Sequence, residues 1–234
     1  MNEHEARKEI CRVGKSLFER GYVHATAGNI SVRLDDGYLI TPTDACLGFL
    51  EPDALSRIDA QGTHIDGPRP SKTIVLHRRI YEASRPWRPD TRCVIHTHSH
   101  ACVLLSLLTP APGPVAAPAV GEAELIPPIT PYFVMKVGHV PHIAYDRPGA
   151  PEVAEHVVKA ITAYGHAGSP LRAVMLERLG PNVWHDSPAS AMATLEELEE
   201  TARLWLACRG GAQTVEPLDE AGLRTLDSVF GAHW

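Results

Sequence analysis

Two histidines spaced two residues apart close an apolar run in Cys93-Val94-Ile95-His96-Thr97-His98-Ser99-His100. Read as a strand, the run sends alternate side chains to opposite faces, so His96, His98 and, if the strand continues, His100 share one side. Neighbouring imidazoles on one face suit a divalent cation such as zinc, and a catalytic zinc usually has three protein ligands and one open position. The segment is a candidate metal site short of at least one ligand. The competing reading is a strand that ends in surface histidines.

Three other polar segments sit where elements should join. Thr26-Ala27-Gly28-Asn29 offers a glycine that lets a ligand approach the backbone and an asparagine amide, and Thr41-Pro42-Thr43-Asp44 offers a hydroxyl. Pro70-Ser71-Lys72-Thr73 sets Ser71 and Lys72 at an expected helix N-terminus. Backbone N–H groups, hydroxyls and one ammonium at a helix start form a suitable phosphate site. Gly28, Asn29, Thr43, Asp44, Ser71 and Lys72 are therefore the candidate substrate-binding residues. Each segment alone reads as a turn or cap; in this order they are far more specific.

These segments need a scaffold, and 234 residues can bury a sizeable core. No shift in composition divides the chain, so one domain over 1–234 is expected. A hydrophobic content of 44%, a charged content of 21% and a net charge of -6 describe an ordinary soluble domain with no electrostatic reason to bind nucleic acid. The five cysteines are scattered without a C-x-x-C pair, which argues against a disulfide framework or a cysteine zinc cluster and fits a reducing cytoplasm. The first dozen residues are charged, and no run approaches the roughly 18 apolar residues that span a bilayer, so neither secretion nor a membrane partner is expected.

Ala6, Ile10, Val13, Leu17 and Phe18 recur at helical spacing and predict an amphipathic helix over 3–20. Ile30, Val32 and Leu34 alternate with polar residues, and the turn Asp35-Asp36-Gly37 leads into Tyr38–Thr41, a hairpin pattern. Helices are expected over 71–83, 101–108 and 152–164, strands over 92–98 and 171–179 with a partner starting at Val183, and a Pro-rich irregular connection over 109–131. The last helix carries Met192, Leu195, Leu198, Ala202, Trp205 and Leu206 on one face. The acids Glu196, Glu197, Glu199 and Glu200 should then spread over its outer surface. Helices interleaved with paired strands predict an α/β fold with a sheet covered on two faces.

The ordered set Arg20-Gly21-Tyr22, Thr26 to Ser31, Thr41-Pro42-Thr43, Cys46-Leu47-Gly48, Pro70-Ser71-Lys72, Thr130-Pro131-Tyr132, Val134-Met135-Lys136, Val140-Pro141, Arg147-Pro148-Gly149 and Leu195 to Ala202 resembles the class II aldolase/adducin family over about 10–205. Within it the chain is most similar to the branch acting on 3-oxo-tetronate 4-phosphates. The resemblance implies a three-layer α/β/α fold around a mixed, largely antiparallel sheet, and a homotetramer with active sites at subunit interfaces. It also implies a divalent metal on His96 and His98, zinc with manganese as the alternative, and a small phosphorylated sugar acid as partner, contacted by Asn29, Thr43, Ser71 and Lys72. Two positions depart from the family. Thr73 stands where relatives carry an acid/base glutamate after Pro-Ser-Lys, and Arg178-Leu179-Gly180 stands where they carry Asn-His-Gly with the third metal histidine.

Retro-aldol cleavage removes a hydroxyl proton, so loss of the base should slow it by about 10²–10⁴. Decarboxylation of a β-keto acid starts from a carboxylate already ionised, and needs only electron withdrawal at the ketone and a later proton donor. The expected activity is accordingly metal-assisted decarboxylation through an enediolate to dihydroxyacetone phosphate and carbon dioxide. A sugar-phosphate aldolase or epimerase is the first alternative and a noncatalytic adducin-like binding protein the second. Lys72, Thr73 and Tyr132 are the catalytic candidates, Tyr132 as proton donor. Glu177, two residues before Leu179, would face the same side if the strand stays extended and is the candidate third metal ligand. His100, His139, His142 and His185 are the other options.

Overall fold

The computed structural model describes residues 1–109, 124–147, 149–209 and 215–234. The Pro-rich connection expected over 109–131 thus falls mostly outside the described residues, as does Pro148. Among the described residues eight strands form one sheet: β1 (Asn29–Leu34), β2 (Gly37–Ile40), β3 (Ser56–Asp59), β4 (His64–Asp66), β5 (Cys93–His96), β6 (His142–Ile143), β7 (Ala173–Leu176) and β8 (Gly180–His185). Their order is β4-β3-β2-β1-β5-β8-β7-β6, and every described pairing is antiparallel except β6 with β7. The mixed, largely antiparallel sheet is as expected.

Among the described residues there are seven α-helices, α1 (Glu3–Glu19), α2 (Ile74–Ser84), α3 (His100–Leu108), α4 (Pro131–Lys136), α5 (Pro151–His166), α6 (Pro188–Arg209) and α7 (Glu220–Phe230), of which α7 packs against α4 rather than on the sheet. Strand alternation produces two cores. Ile30, Val32, Cys93, Ile95, Met175 and Val183 face α1, α3, α4 and α6, packing with Ile10, Val13 and Leu195. Val94, Val174 and Trp184 face the other way, against Ile80, Val157 and Tyr164 of α2 and α5. The period-2 pattern of the strands thus sorts the chain into three layers. Among the described residues no helix is long and apolar enough to cross a membrane.

Several bounds differ from expectation, and each difference moves a candidate. Helix α2 begins at Ile74 with Thr73 as its N-cap, so Ser71 and Lys72 lie in the turn before it, where Ile74 N–H donates to the Ser71 carbonyl at 3.2 Å. Strand β5 stops at His96, so His98 is not positioned by strand alternation but by the turn into α3. Strand β7 stops at Leu176, and Arg178 adopts a left-handed φ of 66°, which makes 177–179 the tip of a hairpin with β8 rather than extended chain. Glu199 is buried at 1% exposure instead of lying on the outer surface of α6.

Candidate active site

A pocket of about 640 Å³ opens on the α2/α5 face, at the ends of β1, β5 and β8. Four of its segments were legible as motifs: Gly28 and Asn29, Thr43 and Asp44, Ser71 to Thr73, and His96 with His98 all line it. The far wall is apolar, made of Val153 and Ala154 of α5 with Leu176 and Leu179 of the β7–β8 hairpin, and Arg147 stands on the loop before α5.

Backbone contacts fix the segments of the candidate anion-binding side. Gly28 has a φ of 85°, and a side chain there would meet Val23 at 2.7 Å and the His96 carbonyl oxygen at 3.0 Å, so only glycine lets the loop lie against β5. Pro42 bridges to Pro70, and Thr43 N–H donates to the Arg69 carbonyl at 3.0 Å, which clamps the threonine segment beside the start of α2. The Ser71 and Thr73 hydroxyls bond each other at 2.9 Å. Thr73, lacking a carboxyl group, leaves the Asp44 side chain as the carboxylate on the pocket lining.

His96 is buried on the α2/α5 face, and its Nδ1 donates to the Pro181 carbonyl at 3.0 Å. That bond fixes the tautomer, so Nε2 carries the lone pair. Burial first, and the neighbouring His98 second, push the His96 pKa down to about 4; His98 is also lowered, by burial and then by His24. Both rings are neutral bases near pH 7, the form that binds metal. Two imidazoles on one zinc, with Zn–N near 2.0–2.1 Å and a tetrahedral angle, have ring centres roughly 5 Å apart. His96 and His98 have centres 5.1 Å apart with planes at 67°.

The third ligand is another matter. Glu177 does not line the pocket: its carboxylate accepts the Tyr145 N–H at 2.9 Å, because the left-handed Arg178 ends the extended chain on which its expected orientation depended. Leu179 does line the pocket. His100 opens α3 and is exposed, His139 bonds Glu124 at 2.9 Å, and His185, paired with Asp186, stands opposite Cys93 at the other end of β5 from His96. His24, which no sequence pattern singled out, stands edge-on to His98 with ring centres 6.4 Å apart. Among the described residues no three His, Cys, Asp or Glu side chains are grouped to hold an ion. The donors present fit two imidazole ligands of a divalent ion whose other positions are filled by neutral or substrate oxygens.

Tyr132 is 61% exposed on α4, in the opposite helix layer, and does not line this pocket. Sequence reasoning also missed Asn182. It faces His96 across the β5–β8 ladder, and Asn29 faces His96 across the β1–β5 ladder, so three polar side chains form a row on one face. A polar residue at a core-facing strand position was the available signal.

Comparison with known proteins gives a consistent picture. The family model described as "Class II Aldolase and Adducin N-terminal domain" matches residues 8–206. The chain is 45% identical over 234 residues to a 3-oxo-tetronate 4-phosphate decarboxylase of Cupriavidus necator, covering 99% of each, and 36% identical over 203 residues to one of Escherichia coli strain K12, covering 86% of each. Its fold superposes with a TM-score of 0.79 on the crystal structure of YgbL from Klebsiella pneumoniae, described as an aldolase/epimerase/decarboxylase, at 35% identity and covering 97% of this chain and 99% of that one.

Proposed function

Since the chain belongs to the class II aldolase and adducin family, we propose that it is a carbon–carbon lyase that decarboxylates 3-oxo-tetronate 4-phosphate to dihydroxyacetone phosphate and carbon dioxide. The observation that carries this reading is full-length likeness to decarboxylases of that name at 45% identity. The pocket adds a physical reason: Thr73 cannot act as a carboxylate base, and decarboxylation is the family reaction that least requires one.

In this reading Gly28, Asn29, Thr43 and Ser71 hold the phosphate through backbone N–H groups, hydroxyls and amide, and the Lys72 ammonium neutralises it or the carboxylate. His96 and His98 would hold a divalent ion, zinc or manganese, which supplies Lewis-acid stabilisation of the charge that develops as carbon dioxide leaves. The apolar wall of Val153, Ala154 and Leu179 excludes water and strengthens every polar contact opposite it. Thr73 keeps the Ser71 hydroxyl oriented through their mutual bond. Tyr132 would protonate the product carbon only from a neighbouring copy, which belongs with the homotetramer that the resemblance implies.

The test is release of carbon dioxide, coupled to detection of dihydroxyacetone phosphate, from freshly generated 3-oxo-tetronate 4-phosphate. Lys72→Gln should lower kcat/KM by about 10²-fold, because a charge-assisted contact to the substrate is lost. Cleavage of a sugar phosphate to an aldehyde without carbon dioxide would identify an aldolase instead. Neither activity, with no divalent ion retained, would identify a binding protein.

A further inference from the structure

Asn182 is 1% exposed in the middle of β8, yet neither its Oδ1 nor its Nδ2 has a protein partner. It lines the pocket and stands between His96 of β5 and Val174 of β7, with Asn29 of β1 on the far side of His96. The Asn29 Oδ1 is likewise buried without a protein partner. The residues that follow Asn182 in β8, Val183 and Trp184, are fully buried and mainly apolar. A central strand gains stability from a β-branched apolar residue and loses it from an unpaired buried amide. Asn182 is therefore costly to the fold where it stands, and the residue that bears these unpaired groups lines the pocket.

We propose that Asn182 is a catalytic residue whose amide N–H donates to the 3-oxo oxygen of the substrate as charge develops there. The inference rests on the decarboxylase reading above. In the step it assists, the bond between C1 and C2 breaks and its electron pair forms the C2–C3 double bond. The C3 carbonyl pair passes to oxygen, carbon dioxide departs, and a proton later returns to C2 with no change of oxidation state beyond the loss of the carboxylate. A donor fixed in an apolar wall needs no reorganisation as that charge appears.

The decisive variant is Asn182→Val, with Asn182→Thr as the form that restores a donor. Expected for Asn182→Val are a kcat for carbon dioxide release lowered by about 10²–10³-fold, KM within about twofold, unchanged divalent-ion content and a Tm raised by a few degrees. Asn182→Thr should recover part of kcat. An unchanged kcat overturns the proposal, as does a fall in Tm alongside kcat, which would make the residue structural, or a loss of bound ion, which would make it a ligand. If the wild-type protein releases no carbon dioxide, the decarboxylase reading fails by itself. Calorimetry with phosphoglycolohydroxamate, a planar enediolate mimic, then still decides: weakening of at least about tenfold in Asn182→Val, with inorganic phosphate binding unchanged, supports the donor, and equal binding of the mimic overturns it.

Discussion

Glu199 reaches from the middle of α6 to the start of α3, where one carboxylate oxygen accepts the Ala101 N–H at 2.8 Å and the other accepts the Cys102 N–H at 3.0 Å. Helix α3 begins two residues after His98, and Ser99 at its N-cap makes no side-chain capping bond. A carboxylate from another helix thus performs the capping and fixes the turn that carries His98. Glu199→Ala should leave two buried N–H groups unpaired and cost about 2–5 kcal/mol of unfolding free energy, measured by urea denaturation. Divalent-ion affinity should fall with it. A variant within about 0.5 kcal/mol of the parent would show that the carboxylate is incidental.

Leu179 sits where a third imidazole could join His96 and His98. The hairpin is pressed against the histidine segment so closely that a side chain on Gly180 would collide with the Thr97 carbonyl. Leu179→His should therefore add a ligand without moving the backbone, and slow zinc loss to a chelator by at least about tenfold. His96→Ala should abolish that gain. Equal zinc retention in Leu179→His and the parent would mean that the hairpin tip does not face the ion.

Acid should destabilise the protein through His77 and His96. His77 is fully buried, with Nδ1 bonded to the Ser31 hydroxyl at 2.8 Å, and burial, then His96, lower its pKa to about 3; His96 is lowered to about 4. Both values lie below the 6.5 of an unfolded histidine, so the unfolded chain binds more protons across this window. Stability is complete above pH of about 6.5 and is lost as pH falls toward 4. Against His77→Asn, which keeps a polar group near Ser31 but does not titrate, the parent should lose an additional 2–3 kcal/mol, on the order of magnitude, between pH 7 and 4. Parallel stability curves for the two proteins would refute the assignment to His77.

Residues whose signal is local were legible in the chain. Gly28, Asn29, Thr43, Ser71, Lys72, His96 and His98 belong to short motifs at element junctions, and all of them line one pocket. The alternation of Ile30, Val32 and Leu34 placed β1, and the spacing of Ile10, Val13 and Leu17 placed α1, because each pattern is set by the pitch of its own element. What failed depended on partners distant in sequence or on a single dihedral angle. Arg178 turns left-handed without the glycine that would announce it, which carries Glu177 away from the histidines. Glu199 reads as one acid in a charged run, and only the packing of α6 on α3 shows that it is a cap. Strands β3 and β4 are short, at four and three residues, too brief for their alternation to stand out.

The Gly28 loop touches the His96 carbonyl, while Asn29 and His96 are opposite one another in a single ladder. Asn29, one of the residues proposed to hold the phosphate, is consequently separated from His96 by the spacing of two adjacent strands, about 4.7–4.9 Å, rather than by flexible side chains. Such a site is a ruler. If the phosphate docks at Gly28 and Asn29 as proposed, a substrate one carbon longer would carry its ketone past His96 and one a carbon shorter would stop before reaching it, so selection by length would come from the sheet itself.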